Sequence, residues 1–202
     1  MKLFLIRHGE TAWNKDRRIQ GCRSNTSLNE TGYEQADRLA VLLKKERLDA
    51  AYCSPLKRAM DTAEVISREC RLPLSVLPEL REIDAGELDG LSRREMGAHH
   101  AASWADWSKG DPSTRLPGGE SLEELQNRAW WAVERILERH VDGAAVAIGH
   151  MFTNMVIIAR AVSLDLRHIL HLRQDSAALN IIEFSTQRNV LILLNDTCHL
   201  KG

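Results

Sequence analysis

Short apolar runs of strand length alternate along this chain with segments of helical periodicity, and three of the runs end abruptly in charged or glycine-containing sequence. Lys2-Leu3-Phe4-Leu5-Ile6 stops at Arg7-His8-Gly9, Asp49-Ala50-Ala51-Tyr52-Cys53 stops at Ser54-Pro55-Leu56-Lys57-Arg58, and Ala144 to Ile148 stops at Gly149-His150. Such runs read as buried strands. Leu74 to Leu77, Asn180 to Phe184 and Val190 to Leu194 are further strand candidates. Asn29 is placed to cap a helix carrying Ala36, Leu39, Ala40 and Leu43, and Lys57 to Glu69 sets Ala59, Ala63 and Ile66 on one face. Ser121 with Glu124 three residues on has capping-box spacing, opening a helix that runs to about His140. Strands alternating with helices predict an α/β fold, a three-layer α/β/α arrangement on a mostly parallel central sheet. From 84 to 119 the pattern degrades into Gly, Trp and charge, read as a small helical cap insertion within a single domain spanning 1–202.

In an open α/β sheet, functional groups gather outside the carboxyl ends of the strands. Strands far apart in sequence can therefore bring Arg7, His8, Arg58 and His150 into one crevice. Two arginines and two histidines around one point suit a doubly charged anion, and phosphate matches the forked guanidinium. That preference has to be local. With 27 Lys plus Arg against 28 Asp plus Glu the net charge is −1, which gives no global attraction for nucleic acid or an anionic membrane. Hydrophobic residues at 44% leave an ordinary globular balance, and no run approaches the roughly 20 apolar residues of a membrane span. The apolar start is too short for a signal peptide, and the four cysteines show no Cys-x-x-Cys pair. Reduced thiols and a cytoplasmic location are expected. His99-His100, and His168 with His171, lack Glu or Cys partners at zinc-site spacing, so no metal site is expected.

Arg7-His8-Gly9-Glu10-Thr11 with Trp13-Asn14 resembles the signature of the histidine phosphatase superfamily, the phosphoglycerate mutase-like group. Gln20-Gly21 with Leu28-Asn29-Glu30-Thr31-Gly32, Ser54-Pro55-Leu56-Lys57-Arg58-Ala59 with Thr62-Ala63, Glu79-Leu80-Arg81-Glu82 through Gly86, Pro117-Gly118-Gly119-Glu120-Ser121 and Gly149-His150 follow in family order. The resemblance implies a metal-independent phosphomonoesterase without a cofactor, acting on a small phosphorylated substrate. It implies His8 as nucleophile, Arg7, Arg58 and His150 as the phosphate clamp, and Glu82 as proton donor. Asn14, Gln20 and Gly21 would add neutral donors to the phosphate. The acid loop here, Glu82-Ile83-Asp84-Ala85-Gly86-Glu87-Leu88-Asp89-Gly90, looks like that of the small phosphatases. Cofactor-dependent mutases carry Glu-Arg-His-Tyr-Gly near that loop.

Broad-specificity, α-ribazole phosphate and phosphoserine phosphatases all fit the pattern. Ala85 stands where phosphoserine-selective relatives often have His, and Met151 replaces the glycine common after the second histidine. The Ser24-Asn25-Thr26-Ser27 segment departs from the usual Asp-x-Pro-Leu. Asp196-Thr197-Cys198-His199-Leu200 resembles a tail of several phosphatases, with simple fraying as the other reading. Trp104 and Trp107 are candidates for a substrate pocket, while at least one of Trp130 and Trp131 is expected in the core. The sequence leaves a homodimer open.

Overall fold

Alternate residues of β1 (Lys2–Arg7) enter two separate apolar clusters, which is the mark of a strand covered on both faces. Leu3 and Leu5 point to one side, Phe4 and Ile6 to the other, and none is more than 3% exposed. At about 1.5–3 kcal/mol for each such side chain, this strand anchors both layers. The same division runs through β2 (Ala50–Cys53) and β4 (Ala144–Gly149). Helices α2 (Glu30–Leu43) and α3 (Lys57–Cys70) cover one face, and α6 (Leu122–Arg139) and α7 (Met151–Ala161) cover the other. The computed structural model describes residues 1–201.

The six strands lie in the order β3-β2-β4-β1-β5-β6, where β3 is Leu74–Val76, β5 Leu179–Glu183 and β6 Val190–Asp196. Pairings from β3 to β1 are parallel, and β5 is antiparallel to both of its neighbours. The sheet is thus mixed and mostly parallel, as the alternation predicts. Because β1, β2 and β4 are adjacent and parallel, their carboxyl ends bring Arg7-His8, Ser54 and Gly149-His150 together. The N-caps of α2 and α6 are Asn29 and Ser121, with Glu124 closing a capping box.

Local features add detail to the sequence expectations. A one-turn helix, α1 (Ala12–Lys15), is capped by Thr11 and Asn14. Between 84 and 119 lie a 3-10 turn at Gly86–Leu88 and the short helices α4 (Arg93–His99) and α5 (Ala101–Ser108). The tail after β6 is docked rather than frayed, with a turn at Cys198–Leu200 whose Leu200 carbonyl accepts from Arg38 of α2 at 3.2 Å. Trp130 packs beside Phe184 beneath Arg160, whereas Trp131 is exposed. No helix among the described residues is long and apolar enough to cross a membrane.

The loop carrying His8 is held against the first turn of α2 by a close backbone approach. A Cβ on Gly32 would overlap the Glu10 carbonyl, and one on Gly9 would come within 2.5 Å of the Gly32 oxygen. Alanine normally favours a helix by about 1 kcal/mol over glycine. Gly32→Ala is nevertheless expected to destabilise by about 2 kcal/mol, because backbone rather than a flexible side chain must give way. Urea unfolding checks this, and an unchanged or raised midpoint would contradict the packing.

Candidate active site

His8 is buried, and its Nδ1 lies 2.7 Å from the Gly9 carbonyl. A carbonyl can only accept, so Nδ1 carries the proton and donates. The other nitrogen, Nε2, faces the cavity that His8 lines. Burial, and after it the charges of Arg58 and Arg7, hold the imidazole well below its ordinary value of 6.5, against a weaker opposing pull from the Gly9 bond. His8 is therefore neutral at pH 7 with a lone pair on Nε2. The Gly9 N–H donates to Thr62 Oγ1 at 3.1 Å, and Thr62 donates to the Arg58 carbonyl at 2.8 Å, tying the His8 loop to α3.

His150 lies beside His8, with ring centroids 5.1 Å apart and planes tilted by 60°. Its Nε2 is 2.7 Å from Ser54 Oγ, which also accepts from the Leu56 N–H at 3.2 Å. The Ser54 proton has no other acceptor among the described residues, so Ser54 donates to Nε2 and the ring proton sits on Nδ1. That Nδ1–H is buried and unpartnered. Burial, Arg58, His8 and Arg7, in that order, push His150 well below 6.5 as well.

Both arginines are aimed by backbone carbonyls. Arg7 Nη1 donates to Gln174 O at 2.6 Å, and Gln174 is held by reciprocal amide bonds of 2.8 Å with buried Asn180. Arg58 Nη1 and Nη2 donate to Ser24 O at 2.9 Å and Gly21 O at 3.1 Å. The Asp89 carboxylate shapes that loop by accepting from the N–H groups of Gly21, Arg23 and Ser24. Burial lowers Arg58 to about 10, partly opposed by Glu82 and Asp89, so the guanidinium stays charged at neutral pH. Neither Nε has a partner.

Glu82 is 4% exposed and sits at the start of α7. Its carboxylate accepts from the N–H groups of Ile83 at 2.9 Å, Phe152 at 3.1 Å and Thr153 at 3.1 Å, and lies 3.1 Å from Thr153 Oγ1. Free amides at a helix N-terminus are a natural seat for an anion. Arg128, paired with both Glu120 oxygens, pins the strand of backbone at Glu79, Arg81 and Glu82 through their carbonyls.

Arg7, His8, Asn14, Gln20 and Glu82 line one cavity of about 310 Å³. The expected neutral donors are more committed than their sequence positions imply. Gln20 Nε2 donates to Thr11 Oγ1 at 2.6 Å, and Gln20 Oε1 accepts from Thr26. Asn14 Oδ1 accepts from the Thr11 N–H, leaving its amide nitrogen toward solvent or ligand. The Gly21 N–H is taken by Asp89 and its carbonyl by Arg58, so Gly21 aims an arginine instead of offering a free donor. Asp89, Arg128, Thr153, Gln174 and Asn180 were not picked out from sequence. Most of their bonds are to backbone groups remote along the chain, and such contacts leave no periodic or motif signal.

The three-layer fold with two neutral histidines, a buried and a half-buried arginine and a carboxylate at its strand ends defines an α/β protein built around an anion site. Residues 3–197 match the profile of the histidine phosphatase superfamily (branch 1), and the chain belongs to that family. Phosphoserine phosphatase 1 of Hydrogenobacter thermophilus is 32% identical over 99% of this chain and 94% of its own length. A metal-independent phosphoserine phosphatase of Arabidopsis thaliana is 32% identical over 100% of this chain and 84% of its own. The solved structure of Bacillus stearothermophilus YhfR superposes with a TM-score of 0.92 at 28% identity, covering 99% of both chains.

Two histidines that are neutral when buried but ionise when unfolded make stability depend on pH. Below about pH 6.5 the unfolded chain binds more protons than the folded one, so stability falls as pH is lowered and is fully present above that value. The slope per histidine is at most about 1.4 kcal/mol per pH unit. Urea midpoints between pH 7.5 and 5.5 should fall less steeply in His8→Asn and His150→Asn than in the wild type. Parallel slopes would show that the rings are not held neutral.

Proposed function

We propose that this protein hydrolyses small phosphorylated metabolites in the cytoplasm, without a metal, through a phosphohistidine on His8. The observation that carries the reading is a neutral His8 whose proton is fixed on Nδ1, with Nε2 left toward a cavity shared with half-buried Arg7 and buried Glu82. Segment 84–119 acts as the cap of a single domain over that cavity.

In the first half-reaction the Nε2 lone pair forms the N–P bond as the ester P–O bond breaks. Arg7, Arg58 and the His150 Nδ1–H bind the non-bridging oxygens, whose charge persists through a loose transition state. Asn14 adds an amide donor. Glu82, entering as the acid, passes its proton to the leaving oxygen, so an alcohol departs and a carboxylate remains. In the second half-reaction a water oxygen bonds to phosphorus, its proton goes to Glu82, and the N–P electron pair returns to Nε2. Inorganic phosphate leaves, and the acid is restored.

Hydrolysis of p-nitrophenyl phosphate in EDTA should persist in the wild type and fall by about 10⁴-fold or more in His8→Ala. Glu82→Gln should separate two esters. Glycerol phosphate, with a basic leaving group, should lose about 10²- to 10⁴-fold in phosphorylation rate, while p-nitrophenyl phosphate should still give a burst of one p-nitrophenol per enzyme. Equal losses in the burst phase for both would contradict the acid role.

A further inference from the structure

Asn195, near the end of β6, is not among the residues lining the cavity, yet it is bonded to the loop that aims Arg7. Between the pairs Leu179 with Asp196 and Ile181 with Leu193 the ladder is irregular, and Asn180 of β5 stands opposite both Leu194 and Asn195. Such a bulge bends its strand and re-aims a side chain. Asn195 takes the left-handed conformation there, at φ 52°, which asparagine tolerates better than most residues. Its backbone N–H donates to Asn180 Oδ1 at 2.8 Å, and buried Asn180 donates in turn to the Leu5 carbonyl of β1 at 2.9 Å. The Asn195 side chain meets Asp175 twice. Its Oδ1 accepts from the Asp175 N–H at 2.7 Å, and its Nδ2 donates to Asp175 Oδ2 at 2.9 Å.

Asp175 follows Gln174, whose carbonyl accepts from Arg7 Nη1. The same loop passes through Ala177, a buried residue also in the left-handed conformation at φ 56°, whose N–H donates to the His8 carbonyl at 3.0 Å. An alanine in that conformation is strained and persists only where its surroundings over-determine it. Asn195 and Asn180 supply that restraint from one side of the loop. Arg7 and His8 depend on the loop unequally. His8 is also held by its N–H to the Gly149 carbonyl, by its ring to the Gly9 carbonyl, and through the Gly9 N–H to Thr62. Among the described residues, the Gln174 carbonyl is the single protein acceptor for the Arg7 side chain. A loosened loop therefore falls mainly on Arg7.

Resting on the phosphomonoesterase reading above, we propose that Asn195 is a positioning residue for phosphate binding, acting through the backbone of Asp175 and Gln174 to fix the Arg7 guanidinium. It touches neither the substrate nor the reacting atoms. Arg58 is outside its reach, because the carbonyls that hold Arg58 belong to Gly21 and Ser24, in a loop shaped by Asp89.

A double-mutant cycle on the full chain reads this coupling. Asn195→Gly keeps the left-handed backbone and deletes only the amide. It should lower kcat/KM for p-nitrophenyl phosphate in EDTA by about 10-fold, chiefly through KM, as expected for residues joined in one hydrogen-bond network. Calorimetry with inorganic phosphate should show binding weakened by a similar factor. The same substitution should cost about 10-fold again in an Arg58→Ala background but less than about 2-fold in an Arg7→Ala background. Should the glycine variant not fold, as read by its melting transition, Asn195→Asp keeps the acceptor for the Asp175 N–H, sets two carboxylates together, and should show the same dependence on Arg7. Equal losses in the two arginine backgrounds, or no loss in the wild type, would overturn the inference and leave the phosphatase reading standing. If no p-nitrophenyl phosphate is hydrolysed at all, the phosphatase reading fails, and phosphate binding across the same variants still decides whether Asn195 acts through Arg7.

Discussion

The bond from His8 Nδ1 to the Gly9 carbonyl is the contact on which the site depends. It selects one tautomer, orients the ring, and leaves a single nitrogen for chemistry. Its own position is set by backbone: Gly9 donates to Thr62, the His8 carbonyl accepts from Ala177, and the loop rests on Gly32 at a distance no Cβ would allow. His8, carried on a strand end, is thereby held by three other parts of the chain.

The arginines make the cavity electropositive before a ligand arrives, and this has a stability cost that the structure limits in two ways. Each guanidinium is bonded to main-chain carbonyls, which satisfy N–H donors without neutralising the charge. The two histidines remain uncharged, so no additional cation is buried with them. The positive field is consequently left for an anion, and Glu82 is kept from collapsing onto the arginines by the amides of α7. In the proposed mechanism, separate seats for carboxylate and phosphate would let Glu82 act first as acid and then as base.

Much of this was legible in the chain. The strand ends at His8, Ser54 and His150 follow from where apolar runs stop, and the helix caps at Asn29 and Ser121 follow from local chemistry. What escaped detection acts over distance through backbone atoms: Gln174 holds Arg7 across 167 residues, and Asp89 shapes the loop that holds Arg58. Segment 84–119 reads from sequence as short helical pieces, but without their bounds, for a related reason. Its helices are short, and Trp107 is buried by tertiary contacts with Trp104 and Phe152 rather than by a helical stripe. Gly21 shows the opposite hazard, since its motif position suggested a donor to phosphate while its N–H is already engaged.

Whether the Gly9 bond sets which nitrogen reacts is read by locating the phosphoryl group on the enzyme. Rapid alkaline quenching during turnover, followed by ³¹P-¹⁵N correlation on ring-labelled protein, distinguishes the two histidine nitrogens. Phosphate is expected on Nε2 of His8. A phosphoryl group on Nδ1, on His150, or on no histidine at all would contradict it.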